Sequence, residues 1–237
     1  MSSAGDAKFR LRNGRTVHTV MARSRNASAK VIQGEATRSR ILQAAEGLFA
    51  TFSYDGTSLR RIAAEAGYEL SLVLYHFRSK ELLYQAVFER GLESILRERH
   101  KHVEAMMQGD ADISVEGVLL AFSKPWLELF DRDEDNTAIV FARSLFEHSD
   151  HQQALIEEHV DPEARFFIAA LQKAAPNAPP DEIHRYYHMF VGQLVYSILE
   201  RGRIARLSGK NVSDVRGSLE FTAKIIADRL KGSGVRR

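Results

Sequence analysis

The stretch Thr57–Lys80, TSLRRIAAEAGYELSLVLYHFRSK, decides how the rest of the chain is read. Leu59, Ile62, Ala63 and Ala66 recur at +3, +4 and +7, one apolar face of a short helix. Thr57 is predicted to cap its start, and Gly67 to take the left-handed position that ends it. A second short helix is predicted from about Leu70 to Phe77, with Val73 and Phe77 pinning it to the first. Helices this short are marginal alone, so they must pack on something. Two of them around a tight glycine turn form a helix-turn-helix, with Ala63 and Ala66 small enough for close approach.

Upstream, Ile41, Ala45, Leu48, Phe49 and Phe52 form one helical stripe, with Arg38 and Arg40 off it. SYDG at 53–56 is a turn cluster. Downstream, Ser79 is predicted to cap a long helix that reaches about Met107, lined by Tyr84, Phe88 and Ile95, with Glu81 near its positive end. Further helices are predicted near 113–130, 135–148, 151–175, 180–207 and 212–231. Pro125 should kink the first of these. Pro162 either kinks its helix or starts a new one, and local sequence leaves both open. The expected fold is all-α: a three-helix head at 35–80 that carries the helix-turn-helix, then a larger helical body at 81–232.

The composition is that of an ordinary globular chain, 44% apolar and 27% charged over 237 residues. The absence of cysteine excludes a disulfide framework, a thiolate zinc site and a cysteine nucleophile. With no apolar run of membrane-spanning length and no secretory leader, a cytoplasmic, nucleoid-associated protein is expected. The net charge of +2 says little, but its distribution says more. Residues 1–34 carry Lys8, Arg10, Arg12, Arg15, Arg23, Arg25 and Lys30 against Asp6 alone, which reads as a disordered basic arm.

On the predicted second helix, Ser71, Leu72, Leu74 and Tyr75 point away from the Val73–Phe77 face. Leucine can pack on a thymine methyl, and a tyrosine hydroxyl can reach a phosphate or a base. Arg60, Leu72, Leu74 and Tyr75 are candidates for base readout. Thr57, Ser58 and Lys80 are candidates for phosphate positioning, Thr57 and Ser58 by way of a helix N-terminus.

Residues 36–82 resemble the DNA-binding domain of the TetR family of bacterial transcriptional repressors. The landmarks are Arg40-Ile41-Leu42-x-Ala44-Ala45-x-x-Leu48-Phe49, Gly56-Thr57-Ser58, Ile62-Ala63, Ala66-Gly67, Tyr75-His76-Phe77 and Ser79-Lys80-Glu81-x-Leu83. The resemblance implies a homodimer that binds an operator in double-stranded DNA and a small effector. Glu69, Leu72 and Leu74 depart from the family's usual residues at those places. Glu69 is expected to turn away from phosphate or to cap backbone N–H groups.

In the body, Ile183, Tyr187, Phe190, Val191, Leu194 and Ile198 form a stripe, and Tyr186, Met189 and Tyr196 make other faces of that helix apolar too. Val215, Leu219, Thr222, Ile226 and Leu230 stripe the last helix. Tyr186, Gly192, Tyr196, Leu219 and Ile226 are therefore expected at a four-helix dimer interface. Phe122, Trp126, Phe141, Leu145, Phe167, Tyr187, Phe190 and Leu194 are expected around an apolar effector site. The segment from Glu158 to Ile198 faintly resembles a branch of the family that answers to fatty acids or acyl thioesters.

His184 and His188, four apart on one face, permit a rival reading as a helical metal sensor or metalloenzyme. That reading needs a second segment, with His148, His151 and His159, to converge on them. No HExxH, GxSxG, P-loop or GxGxxG motif is present, so no enzyme activity and no cofactor are expected.

Overall fold

The computed structural model describes residues 14–108, 113–131, 135–147, 149–209 and 214–232. The described residues form helices and connecting turns, with no strand among them. No described helix is long and apolar enough to cross a membrane.

The head is built from α1 (Gly14–Phe52), α2 (Leu59–Ala66) and α3 (Leu70–Phe77). Ile41, Ala45, Leu48 and Phe49 of α1 are buried together with Ile62, Ala63 and Ala66 of α2 and Val73 and Phe77 of α3. The expected stripes thus close on one another. Phe52 is the exception: it ends the α1 stripe but is exposed, and the Arg61 guanidinium lies 3.6 Å from its ring centroid.

The expected disordered arm needs correction over residues 14–34, where the backbone is helical and continuous with α1. No proline interrupts residues 14–52, and Ala, Arg, Lys and Gln there carry good helix propensity, so the helix nucleated by the buried stripe propagates upstream. The part of the arm at 1–13, with Lys8, Arg10 and Arg12, lies outside the described residues.

The body comprises α4 (Lys80–Gln108), α5 (Val115–Asp131), α6 (Asp135–Ser144), α7 (Asp150–Leu155), α8 (Asp161–Ala174), α9 (Pro180–Leu199), α10 (Arg201–Ser208) and α11 (Val215–Gly232). Ser79 accepts the Leu82 N–H at 3.2 Å at the start of α4, as its sequence position suggests. Pro125 lies inside α5.

Between α7 and α8 the chain neither stops nor turns, but widens into a π-helix at Ile156–Val160. Pro162 cannot donate to a carbonyl four residues back and its ring would crowd that carbonyl; a wider turn relieves both problems. The predicted helix over 180–207 divides at Glu200 (φ −109°, ψ 21°) into α9 and α10.

Two body helices bear directly on the head. Glu46 of α1 accepts from Arg90 of α4 and Thr137 of α6. The Arg143 Nε of α6 donates to the Ala50 carbonyl of α1 at 3.1 Å. At Gly91 of α4, a Cβ would come within 2.7 Å of the Thr137 methyl, so this glycine lets α6 approach closely.

Candidate nucleic-acid interface and effector cavity

The turn between α2 and α3 is made by Gly67 at φ 73°, ψ 34°. In this left-handed conformation Gly67 N–H donates to Ala64 O at 3.1 Å and Tyr68 N–H to Ala63 O at 2.9 Å, satisfying the carbonyls at the end of α2. A β-branched residue here would clash with its own backbone. Gly67→Val is expected to destabilise the protein by about 1–2 kcal/mol or more and to misorient α3, whereas Gly67→Asn should cost less. Denaturant melts of the two variants check this, and equal midpoints would contradict it.

Thr57 does not cap α2. Its side chain is buried, with Oγ1 donating to the Ser53 carbonyl at 2.8 Å and the Leu48 carbonyl 3.2 Å away, so it ties the turn to α1 and has no hydroxyl to offer a phosphate. The cap is Ser58, whose hydroxyl accepts the Arg61 N–H at 3.3 Å. A hydroxyl beside a backbone carbonyl gains a bond without leaving the core, and sequence cannot separate that use from capping. Arg60 is exposed on α2.

Glu69 precedes α3 without capping it. Ser71 and Leu74 are exposed, Leu72 is half-buried, and Tyr75 stands out at 79% exposure. The α3–α4 joint is a γ-turn of the rarer, positive-φ hand, with Arg78 at φ 60°, ψ −43° and Ser79 N–H donating to Phe77 O at 2.6 Å. Lys80 is held with its ammonium 4.1 Å from the Tyr54 ring centroid. The Tyr54 hydroxyl donates to Glu81 at 3.0 Å, and burial together with this bond pushes the phenol's pKa up. The Glu81 carboxyl is held below its ordinary value by its own backbone N–H, then by Ser79 and Tyr54. Arg38, left unassigned by the sequence, places its guanidinium 5.1 Å from the Phe77 ring centroid at the end of α3. Only the tertiary contact reveals that cation.

A second site lies in the body, a cavity of about 170 Å³. Six of the expected residues line it: Phe122, Trp126, Phe141, Leu145, Tyr187 and Leu194. Phe167 and Phe190 do not. They are fully buried behind Phe122, at centroid distances of 4.8 and 6.4 Å, and form core rather than wall. The π-segment adds Ile156 and Val160, α8 adds Asp161, Glu163 and Ala164, and α9 adds His188, Val191, Val195 and Ile198. The π-turn could not be read from the sequence, and with it went the wall residues Ile156 and Val160.

The outward face of the body also differs from expectation. Leu219 and Ile226 are fully buried within the chain, because α11 packs that stripe on α5 and α9. A stripe indicates burial without naming the partner. On these two helices the large apolar side chains left exposed are Met189 and Tyr196 of α9 and Phe221 and Ile225 of α11. Tyr186 is half-buried, and Gly192 is exposed, as is compatible with a partner helix there.

For the rival metal reading, the His184 and His188 rings lie 6.3 Å apart. Among the described residues no group of three His, Asp or Glu could hold a metal ion, and His148 lies outside them. His151 and His159 face α4 instead: His151 Nε2 is 3.1 Å from the Glu81 carbonyl, and His159 Nε2 is 3.9 Å from Glu89.

Comparison with known proteins matches both halves of this arrangement. Residues 41–87 match the family described as bacterial regulatory proteins, tetR family, and residues 120–224 match the tetracyclin repressor-like C-terminal domain. The HTH-type transcriptional regulator RutR of Escherichia coli K12 is 42% identical over 77 residues, which is 32% of this chain and 33% of RutR. The chain thus aligns with about a third of that relative's length.

Solved structures show the same fold along most of the chain. A transcriptional regulator from Rhodococcus sp. Rha1 has a TM-score of 0.62 at 18% identity, covering 84% of this chain and 99% of that one. SmeT, the repressor of the Stenotrophomonas maltophilia multidrug efflux pump SmeDEF, has a TM-score of 0.54 at 21% identity, covering 84% and 90%. A glycine-turned helix pair in the head, a helical body, and family matches to each place the chain in the TetR family of bacterial transcriptional regulators, which are not enzymes.

Proposed function

We propose that the protein is a ligand-responsive transcriptional repressor that binds a pseudo-palindromic operator as a homodimer and is released by a small effector held in the body. The observation that carries the DNA-binding part is the outward face of α3. Its inner residues are sealed in the head core, while Tyr75 and Leu74 stay exposed beside Ser71. Such a surface on a second, recognition helix suits the major groove. Lys80 and the capped start of α2 supply a cation and N–H groups for phosphates, and Arg60, exposed on α2, stays a candidate for base readout.

The dimer reading rests on Met189, Tyr196, Phe221 and Ile225, apolar and exposed on adjacent helices. A two-fold axis through α9 and α11 would repeat the head, and half-sites one turn apart, about 34–36 Å, would follow.

Release is a two-state equilibrium, biased by an effector that binds one state better than the other. Contacts at both ends of α6 support a part for it beside α4 in that shift. Phe141 and Ala142 of α6, and Leu145 in the turn just after it, line the cavity, while Thr137 and Arg143 of the same helix hold α1. Phe88 of α4 stacks on Phe141 at 5.4 Å, so α4 is one side chain behind the wall. A displaced Phe141 would move both connections to the head.

Fluorescence anisotropy with an operator selected from a random duplex pool tests the reading. Affinity should fall steeply with salt as counterions are released, and sedimentation should show a dimer. A monomer with salt-indifferent affinity for every duplex would overturn it.

A further inference from the structure

The cavity in the body restricts its own ligand, an inference that rests on reading the body as an effector-binding unit. Size is the first restriction. The volume of about 170 Å³ is close to that of an engineered apolar cavity of about 150 Å³ that takes one benzene. A single ring with a short substituent fills it, and a long acyl chain does not.

Shape is the second. Trp126 and Phe141 meet at 4.7 Å and 47°, and Phe122 and Tyr187 at 5.8 Å and 79°. These edge-on and tilted rings form walls against which another flat ring can pack.

Polarity is the third. Asp161 and Glu163, from the first turn of α8, are the carboxylates in the lining, and among the described residues no lysine or arginine lines it. Asp161 is shared with the exposed Arg165, 3.5 Å away. Glu163 is buried, at 9% exposure. Ionised carboxylates only accept hydrogen bonds, and each offers about four lone-pair sites, so a ligand donor can bind beside an existing partner. The helical path runs on from α7 through the π-segment into α8, so no free helix N-terminus faces the cavity to attract an anion. An anionic headgroup would enter a partly desolvated space facing like charge.

We propose that the effector is a single-ring molecule that presents N–H donors, neutral or cationic, and is neither a fatty acid nor an acyl thioester. The ring lies among Trp126, Phe141 and Tyr187, with its donors toward Glu163.

Calorimetry on the full chain with benzamide, benzylamine, toluene, benzoate and decanoate tests this. Benzamide and benzylamine should bind at least tenfold tighter than benzoate, with toluene between them and decanoate without measurable heat. Glu163→Gln should shift the benzylamine-to-benzoate preference at least tenfold toward benzoate. If that variant fails to fold, the order among probes on the native protein decides alone. Tighter binding of benzoate or decanoate, or no ring bound, overturns the proposal. Operator affinity measured on the same sample without probe keeps the two readings apart. A protein that holds its operator but takes no ring overturns only the ligand proposal. One that takes the rings in this order but binds no duplex overturns only the repressor reading.

Discussion

Trp126→Ala is expected to lower the folding free energy by about 3–5 kcal/mol, the usual cost of removing a large aromatic side chain from a core. The indole is 2% exposed on α5, packed on Phe141 at 4.7 Å, and forms part of the cavity wall. Its loss merges the space it occupied with the existing void, and surrounding helices relax only partly. The total stability of such a chain is about 5–15 kcal/mol, so the variant would sit near the edge of folding. Denaturant unfolding followed by circular dichroism measures the cost; fluorescence would not serve, since Trp126 is the sole tryptophan. Added indole should raise the melting midpoint of the variant by more than that of the native protein. A loss below about 1 kcal/mol, the range of substitutions outside a packed core, would mean that the ring is not packed as described.

Tyr75→Ala is expected to do the opposite: a large effect on binding with almost none on folding. At 79% exposure the ring contributes little to the head, so stability should change by no more than about 0.5 kcal/mol. In a homodimer each substitution is made twice. A contact to base or phosphate worth about 1–2 kcal/mol per copy then costs about 2–4 kcal/mol in all, between about thirty-fold and several hundred-fold in affinity. Anisotropy at fixed salt, alongside a denaturant melt, separates the two quantities. Unchanged affinity would remove Tyr75 from the interface and with it the main support for α3 as the reading helix. A parallel loss of stability would assign the residue to the head core instead.

These two residues mark the limits of what was legible in advance. Tyr75 could be placed on the outer face of a short helix by counting from Val73 and Phe77. Trp126 could be named as a ligand-wall candidate only because the body is rich in aromatics, a criterion that selected Phe167 and Phe190 equally well. Three-dimensional packing sorts them: Trp126 borders the void, and the other two back onto Phe122. Thr57 shows the same limit at a single hydroxyl. Ser-, Thr- and Gly-rich turns announce a helix start, but which hydroxyl caps it depends on where the neighbouring carbonyls of Leu48 and Ser53 fall.

The linear order of residues was enough for the all-α class, the head with its glycine turn, the bounds of α3, and the start of α4, since each depends on periodicity and capping within a few neighbouring turns. It also marked α9 and α11 as helices with faces to bury. Folding in space decided the rest: that Leu219 and Ile226 are used up inside the chain while Phe221 and Ile225 remain outside, that residues 14–34 continue α1, and that a π-turn and two carboxylates shape the cavity. The physical reason is the same in each case. An apolar stripe or a polar side chain specifies that a partner is needed, and only the packing of distant segments determines which one is near.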